Sequence, residues 1–397
     1  MTVPVAQYDL IIVGGGLTGL ALARALRDTP LQILLVDSQP APVAQAPHFD
    51  DRALALSEVS RQLLDTLGIW SSIAHDANPI GHIHVSDQGQ FGRCALDASE
   101  LGFAAFGQVI ELRVLGQALW QAISHQRGLT RLSHSHVAAL NQQVDGVELT
   151  LEQSGQAQMV KGSVVLAADG GPSSLRALAG LPVERFDYRQ SALIANIETS
   201  EPHRDRAFER FTETGPLALL PLTRNRLSLV WTLSPGDAET MQALPEQALI
   251  AKLQKAFGWR LGAIRRIGES TVFPLARLRS PLRRQGRLLL MGNAATMLHP
   301  IAGQGFNLAL RDLMAFADWL QHQRKANADW QQPAVLQNFI ESRLADSQHV
   351  QDITHGLVQL FSNRHPLLTS TRALSLSLLD SVPSLKRFTA VQAMGFR

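Results

Sequence analysis

Residues 10–37 read LIIVGGGLTGLALARALRDTPLQILLVD, and the rest of the architecture can be built outward from them. Leu10–Val13 is a continuous apolar run, which predicts a parallel strand buried on both faces. Gly14–Gly19 follows with the spacing GxGxxG, a helical pattern continues from Leu20, and a second apolar run ends at Asp37. A strand, a glycine loop, a helix, a strand and a terminal acid within about 30 residues form the dinucleotide-binding fingerprint.

Each residue type in this fingerprint has a physical purpose. Gly14 allows the tight turn, Gly16 lets the backbone approach a pyrophosphate, and Gly19 permits close packing of helix on strand. The Asp37 carboxylate can accept hydrogen bonds from ribose hydroxyls. Glycines also serve turns that bind nothing, but here the flanking strands and the acid supply the expected context. The fingerprint fits FAD and NAD equally well.

A second glycine-rich segment, Gly292–Asp312, reads GNAATMLHPIAGQGFNLALRD. It follows the apolar run Leu288–Met291, which predicts a buried strand, and it leads into a helical pattern from Leu310 to Leu320. A strand that feeds a glycine-rich loop and then a helix presents backbone N–H groups to an electron-rich ligand. On its own, this segment predicts a site for something planar or anionic.

Two arginines stand at predicted helix starts. The apolar spacing from Leu56 to Leu67 predicts a helix, and Arg52 precedes it, where a guanidinium could reach a phosphate or a flavin edge. A solvated arginine is the simpler alternative. Arg113 falls in the first turn of another predicted helix, where the helix dipole disfavours a cation. That conflict favours a ligand-facing role for Arg113.

The centre of the chain adds an acidic turn and a sheet. The apolar strand Ser163–Ala168 ends at Asp169-Gly170, which an ordinary D-G turn also explains, and Ser173 suits the start of a new helix. From Ser191 to Leu233 the pattern predicts an antiparallel sheet with one apolar face and one mixed face. Such a sheet is a suitable floor for a binding cavity.

Composition excludes several classes of protein. With 397 residues, 45% of them hydrophobic and 18% charged, the chain has the composition of an ordinary globular protein. A net charge of +2 gives no argument for nucleic acid binding. Cys94 is the sole cysteine, which excludes a disulfide framework, and no second GxGxxG occurs. A disulfide reductase with two dinucleotide domains is therefore excluded.

The N-terminus lacks the basic and apolar regions of a signal peptide, and no window approaches about 18 consecutive apolar residues. We therefore expect a cytoplasmic protein, with contact at most peripheral to the inner membrane. In the C-terminal third, two apolar stripes predict helices, and packing on the core is favoured over membrane contact. The stripes are Leu336, Phe339, Ile340 and Leu344, and Ile353, Leu357, Leu360 and Phe361.

Together these segments resemble the single-component, FAD-dependent aromatic monooxygenases, the family that includes para-hydroxybenzoate hydroxylase. That family carries GxGxxG, a central D-G, and a C-terminal G-D followed by GQG. These stand here as Gly14–Gly19, Asp169-Gly170, and Gly292-Asn293 with Gly303–Gly305. Asn293 replaces the family's Asp, as it does in the ubiquinone-biosynthesis hydroxylases. The phrases FDDRALALS, GQVIEL and RAFERFTETGPLALLPL also resemble that subgroup.

The resemblance implies an α/β fold, in which a Rossmann-like FAD domain of the glutathione-reductase type receives an inserted antiparallel β-sheet substrate domain and ends in a helical region. The implied division is 1–72, 104–178 and 272–330 for the FAD-binding domain, 73–103 and 179–271 for the substrate domain, and 331–397 for the C-terminal helices.

The resemblance also implies tightly bound, non-covalent FAD, NAD(P)H as a transient co-substrate, O₂, and hydroxylation of a polyprenylated phenol through a flavin C4a-hydroperoxide. Pro300 would lie beside the flavin; His299 is a candidate base, although local packing explains it more simply. No metal is implied. The implied cofactor-binding residues are Gly14, Gly16, Leu17, Thr18, Gly19, Asp37, Arg52, Arg113, Asp169, Gly170, Gly292, Asn293, Gly303, Gln304, Gly305, Phe306 and Asn307.

Three alternatives stay open at this level. The same pathway offers other ring positions, and other phenols are possible substrates. An NAD-dependent dehydrogenase would explain the first 40 residues but not Gly292–Asn307. A non-catalytic flavin-binding scaffold among other ubiquinone-biosynthesis proteins would explain both segments.

Overall fold

The computed structural model describes residues 5–42, 46–89, 92–298, 304–361 and 378–396. His299, Pro300 and Gly303 lie outside these ranges. The helices are α1 (Leu17–Ala25), α2 (Glu58–Thr66), α3 (Trp70–Ile73), α4 (Leu112–Ala122), α5 (Ser174–Leu178), α6 (Pro235–Gln242), α7 (Glu246–Phe257), α8 (Gln304–Lys325), α9 (Pro333–Phe361) and α10 (Pro383–Ala393).

The strands form two large sheets and one small one. In chain order they are β1 (Ala6–Val13), β2 (Ile33–Val36), β3 (Ala53–Ser57), β4 (Asn78–Pro79), β5 (His82–Asp87), β6 (Arg93–Asp97), β7 (Gly107–Glu111), β8 (Leu129–Leu132), β9 (Ser135–Gln142), β10 (Val147–Gln153), β11 (Gln156–Ala167), β12 (Glu184–Thr199), β13 (Arg206–Thr212), β14 (Gly215–Pro221), β15 (Arg226–Leu233), β16 (Ile264–Ile267), β17 (Thr271–Arg279), β18 (Arg284–Gln285), β19 (Leu288–Leu290) and β20 (Thr296–Met297).

The first sheet has the order β18-β19-β11-β1-β2-β8, and β10 and β9 extend it from β11. Its central strands are parallel, and both of their faces are covered. From β1, Leu10 and Ile12 pack among the residues of α1, α4 and α8, whereas Ile11 and Val13 pack toward β10 and α5. This double burial explains the unbroken apolar run, and the predicted α/β fold is confirmed.

Four parallel strands of this sheet end at the same edge. The last residues of β1, β2, β11 and β19 lie in register, and Val13 is paired with both Val36 and Ala167. Gly14 and Asp37 directly follow β1 and β2, and Asp169 and Gly292 are the second residues after β11 and β19. Ligands of open α/β sheets bind at the carboxyl ends of the strands, so the topology alone gathers the predicted motifs.

The second sheet has the order β20-β17-β12-β15-β14-β13-β5-β6, with β16 beside β12. The prediction of an antiparallel sheet over Ser191–Leu233 is confirmed by the β12–β15 and β14–β15 pairs. One face of this sheet packs on α6 and α7 around Phe208, Trp231 and Phe257. The other face is left for a cavity. The predicted division into domains stays a prediction, and β17 belongs to this second sheet.

The interpretation of Leu56 as a helical residue is wrong. Leu56 lies in β3, which pairs with β7, and α2 begins only at Glu58. Ser57 caps that helix by accepting a hydrogen bond from the Ser60 backbone N–H at 3.2 Å. Leu56 fits the helical spacing by coincidence, and the pairing of β3 with β7 decides its conformation.

A single helix, α9, carries both predicted C-terminal stripes. Leu336, Phe339 and Ile340 are buried against the core beneath α8, and Leu344 is partly buried there, so packing is confirmed for the first stripe. The side chains of the second stripe, at Ile353, Leu357, Leu360 and Phe361, lie outside the described part of the chain.

Candidate active site

At two positions, Gly14 and Gly19, the GxGxxG loop is packed so closely that only glycine fits. Gly14 has a φ of +112°, and a Cβ there would lie 2.3 Å from the carbonyl oxygen of Ala168. A Cβ on Gly19 would lie 1.8 Å from the carbonyl oxygen of Gly14. Gly16 instead faces open space, with no atom within 4 Å of its Cβ position. Gly14 and Gly19 therefore close the turn, and Gly16 leaves room for a ligand.

The N-terminus of α1 has no side chain to cap it. Gly16 is the N-cap residue, and the first turn contains no acidic residue. The first N–H groups of a helix have no partner within the helix and carry the positive end of its dipole. The N–H groups of Leu17 and Thr18 therefore face the open space beside Gly16, and this arrangement suits a pyrophosphate.

Asp37 lies directly beside this loop. A Cβ on Gly15 would lie 2.3 Å from the Asp37 Oδ2 atom. Burial raises the pKa of the Asp37 carboxyl, although backbone N–H groups of Gln39, Ser38 and Gly15 act in the opposite direction. The side chain keeps part of its surface accessible, so a ribose hydroxyl can reach it.

Asp169 carries an acceptor that the described residues leave unsatisfied. Its Oδ2 atom accepts hydrogen bonds from the Ser174 hydroxyl at 3.1 Å and the Leu175 N–H at 3.2 Å. Its Oδ1 atom is buried, and no group within the described ranges donates to it. Buried acceptors are nearly always paired, so this atom fits a donor from a bound ligand. Gly170 follows with a φ of +92°, which glycine adopts without strain.

The two glycine-rich segments meet in space. Gly292 has a φ of +55°, and a Cβ there would lie 3.0 Å from the Thr18 Cγ2 atom. Asn293 is exposed, and its Oδ1 atom lies 4.0 Å from the Cβ position of Gly305 at the start of α8. The N-terminus of this 22-residue helix therefore borders the same site as α1.

The Asn307 side chain is bonded to β3, a contact that the sequence did not indicate. Its Oδ1 atom accepts from the Ser57 N–H at 3.0 Å, and its Nδ2 atom donates to the Ala55 carbonyl at 3.0 Å. Asn307 is 2% exposed. These bonds fasten β3 to the first turn of α8. The only sequence signal was a polar side chain within an otherwise apolar helical stripe.

The two predicted arginines have different surroundings. Arg52 is exposed at the cavity and lies 5.7 Å from the ring centroid of Phe273. Arg113 contacts Asp51 at 2.8 Å and Glu111 at 3.0 Å. Burial lowers the pKa of Arg113, but these two carboxylates outweigh it and raise the pKa above its ordinary value. Neighbouring acids therefore offset the unfavourable helix position without any ligand.

A cavity of about 480 Å³ opens between the second sheet, β3 and the N-terminus of α8. Among the described residues that line it, Arg52 and Glu209 are the two charged side chains. The remainder is mostly aliphatic. Its sheet floor includes Ile194, Ala207, Pro216, Ala218, Leu220, Ser228, Val230 and Thr232, and its opposite side includes Asn293, Met297, Leu298, Gln304, Gly305, Phe306 and Asn307.

The FAD binding domain family matches residues 7–353 of this chain. The chain is 33% identical to ubiquinone hydroxylase UbiL of Rhodospirillum rubrum, over 98% of this chain and 89% of that protein. It is 32% identical to 3-demethoxyubiquinol 3-hydroxylase of Escherichia coli, over 98% of both chains.

The chain belongs to the FAD-dependent hydroxylases of ubiquinone biosynthesis. It is a flavoprotein monooxygenase, and its predicted family is confirmed. Its fold is similar to that of p-nitrophenol 4-monooxygenase PnpA from Pseudomonas putida DLL-E4, with a TM-score of 0.82 at 16% identity, over 99% of this chain and 100% of that one.

The observed geometry fits FAD. The uncapped helix α1, the open space at Gly16 and the unsatisfied Asp169 Oδ1 atom lie along one edge of the first sheet. Asn293 and the α8 N-terminus continue that line to the cavity. The individual residue roles stay predictions, including those of His299, Pro300 and Gly303, which lie outside the described ranges.

Neither a membrane-spanning helix nor a metal-binding cluster occurs among the described residues. No helix within those ranges is both long and apolar enough to cross a bilayer. No group of three or more His, Cys, Asp or Glu side chains in the same ranges is arranged to hold a metal ion.

Proposed function

We propose that this protein uses NAD(P)H and O₂ to hydroxylate the aromatic ring of a polyprenylated phenol, as 2-octaprenyl-6-methoxyphenol hydroxylase does. The observation that carries the proposal is the apolar cavity that ends at Asn293 and the α8 N-terminus, where the flavin would lie. Its volume of about 480 Å³ falls within the range of small-molecule sites and would hold a ring with the first part of a prenyl tail.

The chain's own residues would hold the cofactor along the carboxyl edge of the first sheet. The N–H groups of Leu17 and Thr18 would bind the pyrophosphate, and the Asp37 carboxylate would bind the adenosine ribose. The Asn293 side-chain oxygen would accept a hydrogen bond from the ribityl chain. As a neutral acceptor, this amide is about half as strong as the carboxylate of the wider family. When bound, FAD supplies hydride acceptance from NAD(P)H and the activation of O₂.

The N-terminus of α8 would favour negative charge on the pyrimidine edge of the flavin. The helix has 22 residues and no acid in its first turn, so the N–H groups of Gly305 and Phe306 are available. The aliphatic side chains Ile194, Ala218 and Val230 would exclude bulk water from the substrate ring. Exclusion of water couples the consumption of reductant to hydroxylation.

The decisive experiment combines purified protein with a genetic test. Purified protein should show a flavin spectrum, should oxidise NAD(P)H faster when a prenylated phenol is added, and should yield a product heavier by one oxygen atom. A strain that lacks the protein should accumulate the unhydroxylated quinone precursor. The identity of that precursor reports the ring position. Accumulation of 3-demethoxyubiquinol would assign a different position in the same pathway.

A non-catalytic flavin scaffold is the competing function. It predicts bound FAD and altered quinone levels in the deletion strain, but no substrate-stimulated NAD(P)H oxidation by the purified protein. Flavin binding with an unchanged quinone pool would refute the pathway assignment and leave a flavoenzyme that acts on another phenol.

A further inference from the structure

Glu209 is a carboxylate set into the aliphatic floor of the cavity. In the register of the second sheet, Glu209 of β13 lies opposite Ala218, which lies opposite Val230, which lies opposite Ile194. All four side chains line the cavity. Successive residues of a strand point to opposite faces, so the neighbouring Phe208 packs into the core on the other side.

No residue within the described ranges offsets the charge of Glu209. Its carboxylate takes part in no hydrogen bond or ion pair there, and its backbone is held by the sheet. Glu111 and Asp51, by contrast, are each paired with an arginine. Burial alone raises the pKa of Glu209 to about 7. Burying an unpaired carboxylate in an apolar site costs free energy, and no contact of Glu209 within the described ranges offsets that cost.

The other described titratable groups near Glu209 cannot accept a proton from a molecule in the cavity. Asp87 and Cys94 lie on the same face of the adjoining strands β5 and β6, and both are buried outside the cavity lining. Burial raises the pKa of Cys94 to about 11, so it stays a neutral thiol. Arg52 also lines the cavity, but a guanidinium accepts no proton.

We propose that Glu209 is a catalytic residue that accepts the proton of the substrate's phenolic hydroxyl. This assignment rests on the proposed hydroxylation of a phenol. The phenolic O–H bond breaks, its proton passes to a Glu209 oxygen, and the electron pair stays on the phenolic oxygen. The resulting phenolate is more electron-rich, and a pair from the ring forms the new C–O bond.

The proton balance closes within the cavity. The hydrogen on the hydroxylated carbon leaves as a proton to water, which restores the aromatic ring. Glu209 then returns its proton to the phenolic oxygen of the product. The oxidant is the O₂ of the proposed function: its O–O bond breaks, one oxygen atom enters the ring, and the two electrons of NAD(P)H let the other oxygen atom leave as water. A carboxyl whose pKa is near the working pH is well matched to this exchange, because both of its protonation states are populated.

The test uses the FAD-loaded, full-length protein and three variants. Glu209→Gln keeps the shape and removes the proton acceptor, and Glu209→Asp keeps the carboxylate on a shorter side chain. Glu213→Gln is the matched control, because Glu213 is exposed in the turn of the same hairpin. The substrate is a prenylated phenol with a shortened tail. FAD content, substrate affinity from flavin absorbance, and hydroxylated product are measured separately.

We expect Glu209→Gln to retain FAD and substrate binding while kcat for hydroxylation falls by about 10²- to 10⁴-fold. Glu209→Asp should recover part of that loss, and Glu213→Gln should behave as the wild type. The wild-type rate should level off above about pH 7, whereas the Glu209→Gln rate should keep rising toward the phenol's own pKa. A halogenated phenol, whose hydroxyl is more acidic, should restore Glu209→Gln activity selectively.

The outcomes separate the two proposals. If the wild type retains FAD but hydroxylates no phenol, the proposed function fails and the role of Glu209 fails with it. If the wild type hydroxylates the phenol and Glu209→Gln keeps its rate and pH profile, only the role of Glu209 is refuted. A variant that loses rate at every pH, with no rescue by the acidic phenol, would indicate a structural role and would also overturn the proposal.

Discussion

The carboxyl edge of the first sheet and the cavity floor of the second sheet are built by different means. At the carboxyl edge, backbone contacts determine the site, because side chains at Gly14 or Gly19 would collide with carbonyl oxygens. On the cavity floor, single side chains such as Glu209 determine the chemistry within an aliphatic surface. The edge therefore tolerates almost no substitution at Gly14 and Gly19, whereas the floor can change substrate or chemistry one residue at a time.

The largest effect is expected at the carboxyl edge. Gly14→Ala places a Cβ 2.3 Å from the Ala168 oxygen at a φ of +112°, so the backbone must move. We expect loss of FAD retention through purification and destabilisation of about 3 kcal/mol. Gly236→Ala is the control, because its Cβ position in α6 is open and a helical alanine is favourable. If purified Gly14→Ala retained as much FAD as the wild type, the proposed collision with the Ala168 oxygen would be wrong.

The junction between the two regions comes next. Arg226 of the second sheet contacts Glu111 at 2.5 Å and donates to the Phe49 carbonyl at 3.3 Å, and both charged side chains are 7% exposed. Arg226→Ala should lower the free energy of unfolding by about 3–5 kcal/mol, since it leaves a buried carboxylate with one partner fewer. Urea denaturation measures the loss, with the exposed Arg265→Ala as control. Equal stability of the two variants would show that the junction is dispensable.

The cavity floor should show a pH-dependent stability. Because the folded pKa of Glu209 is raised to about 7, the folded state keeps a proton that the unfolded state releases near pH 4.5. Stability from this group is therefore present below about pH 4.5 and is lost as the pH rises to 7. Glu209→Gln should be more stable than the wild type by about 1–2 kcal/mol at pH 8, since cavity water screens part of the cost.

The measurement is denaturation of the wild type and Glu209→Gln at pH 5, 6, 7 and 8. The difference should grow across this range, and Glu213→Gln is measured beside it as the exposed control. A difference that does not vary with pH would show that Glu209 is solvated like a surface carboxylate.

The smallest effect is expected where the two regions meet at Asn293. Asn293→Asp replaces a neutral acceptor with a charged one, so FAD should bind a few-fold more tightly, equivalent to about 0.5–1 kcal/mol. Titration of the apoprotein with FAD, followed by flavin fluorescence, measures the change. Weaker binding by Asn293→Asp would mean that this side chain does not accept a hydrogen bond from the cofactor.

The sequence predicts the carboxyl edge well because its determinants are local. Gly14–Gly19 and Asp37 lie within one strand–helix–strand unit, where spacing and geometry are directly coupled. The cavity floor depends on pairings that spacing does not reveal. In an alternating strand, Glu209 has the pattern of a solvent-facing residue, and only the register with Ala218 shows that its face borders a cavity.

Local reasoning also missed two sets of polar contacts. Arg113 conflicts with the dipole of α4, which favoured a ligand, but Asp51 and Glu111 supply the compensating charge. Glu111 lies two residues away in the sequence and could have signalled this pairing. The Asn307 side chain bonds to β3, about 250 residues away in sequence, and no local pattern could have indicated that contact.

The pairing of β11 with β19, and the contact between Gly292 and Thr18, have a consequence for synthesis on the ribosome. The first glycine loop emerges some 278 residues before its neighbour, a delay of roughly 15–55 s at ordinary translation rates. During that interval α1 lacks the helix that packs beside it in the finished protein. We expect nascent chains arrested before residue 292 not to retain FAD, and chains extended past α8 to retain it.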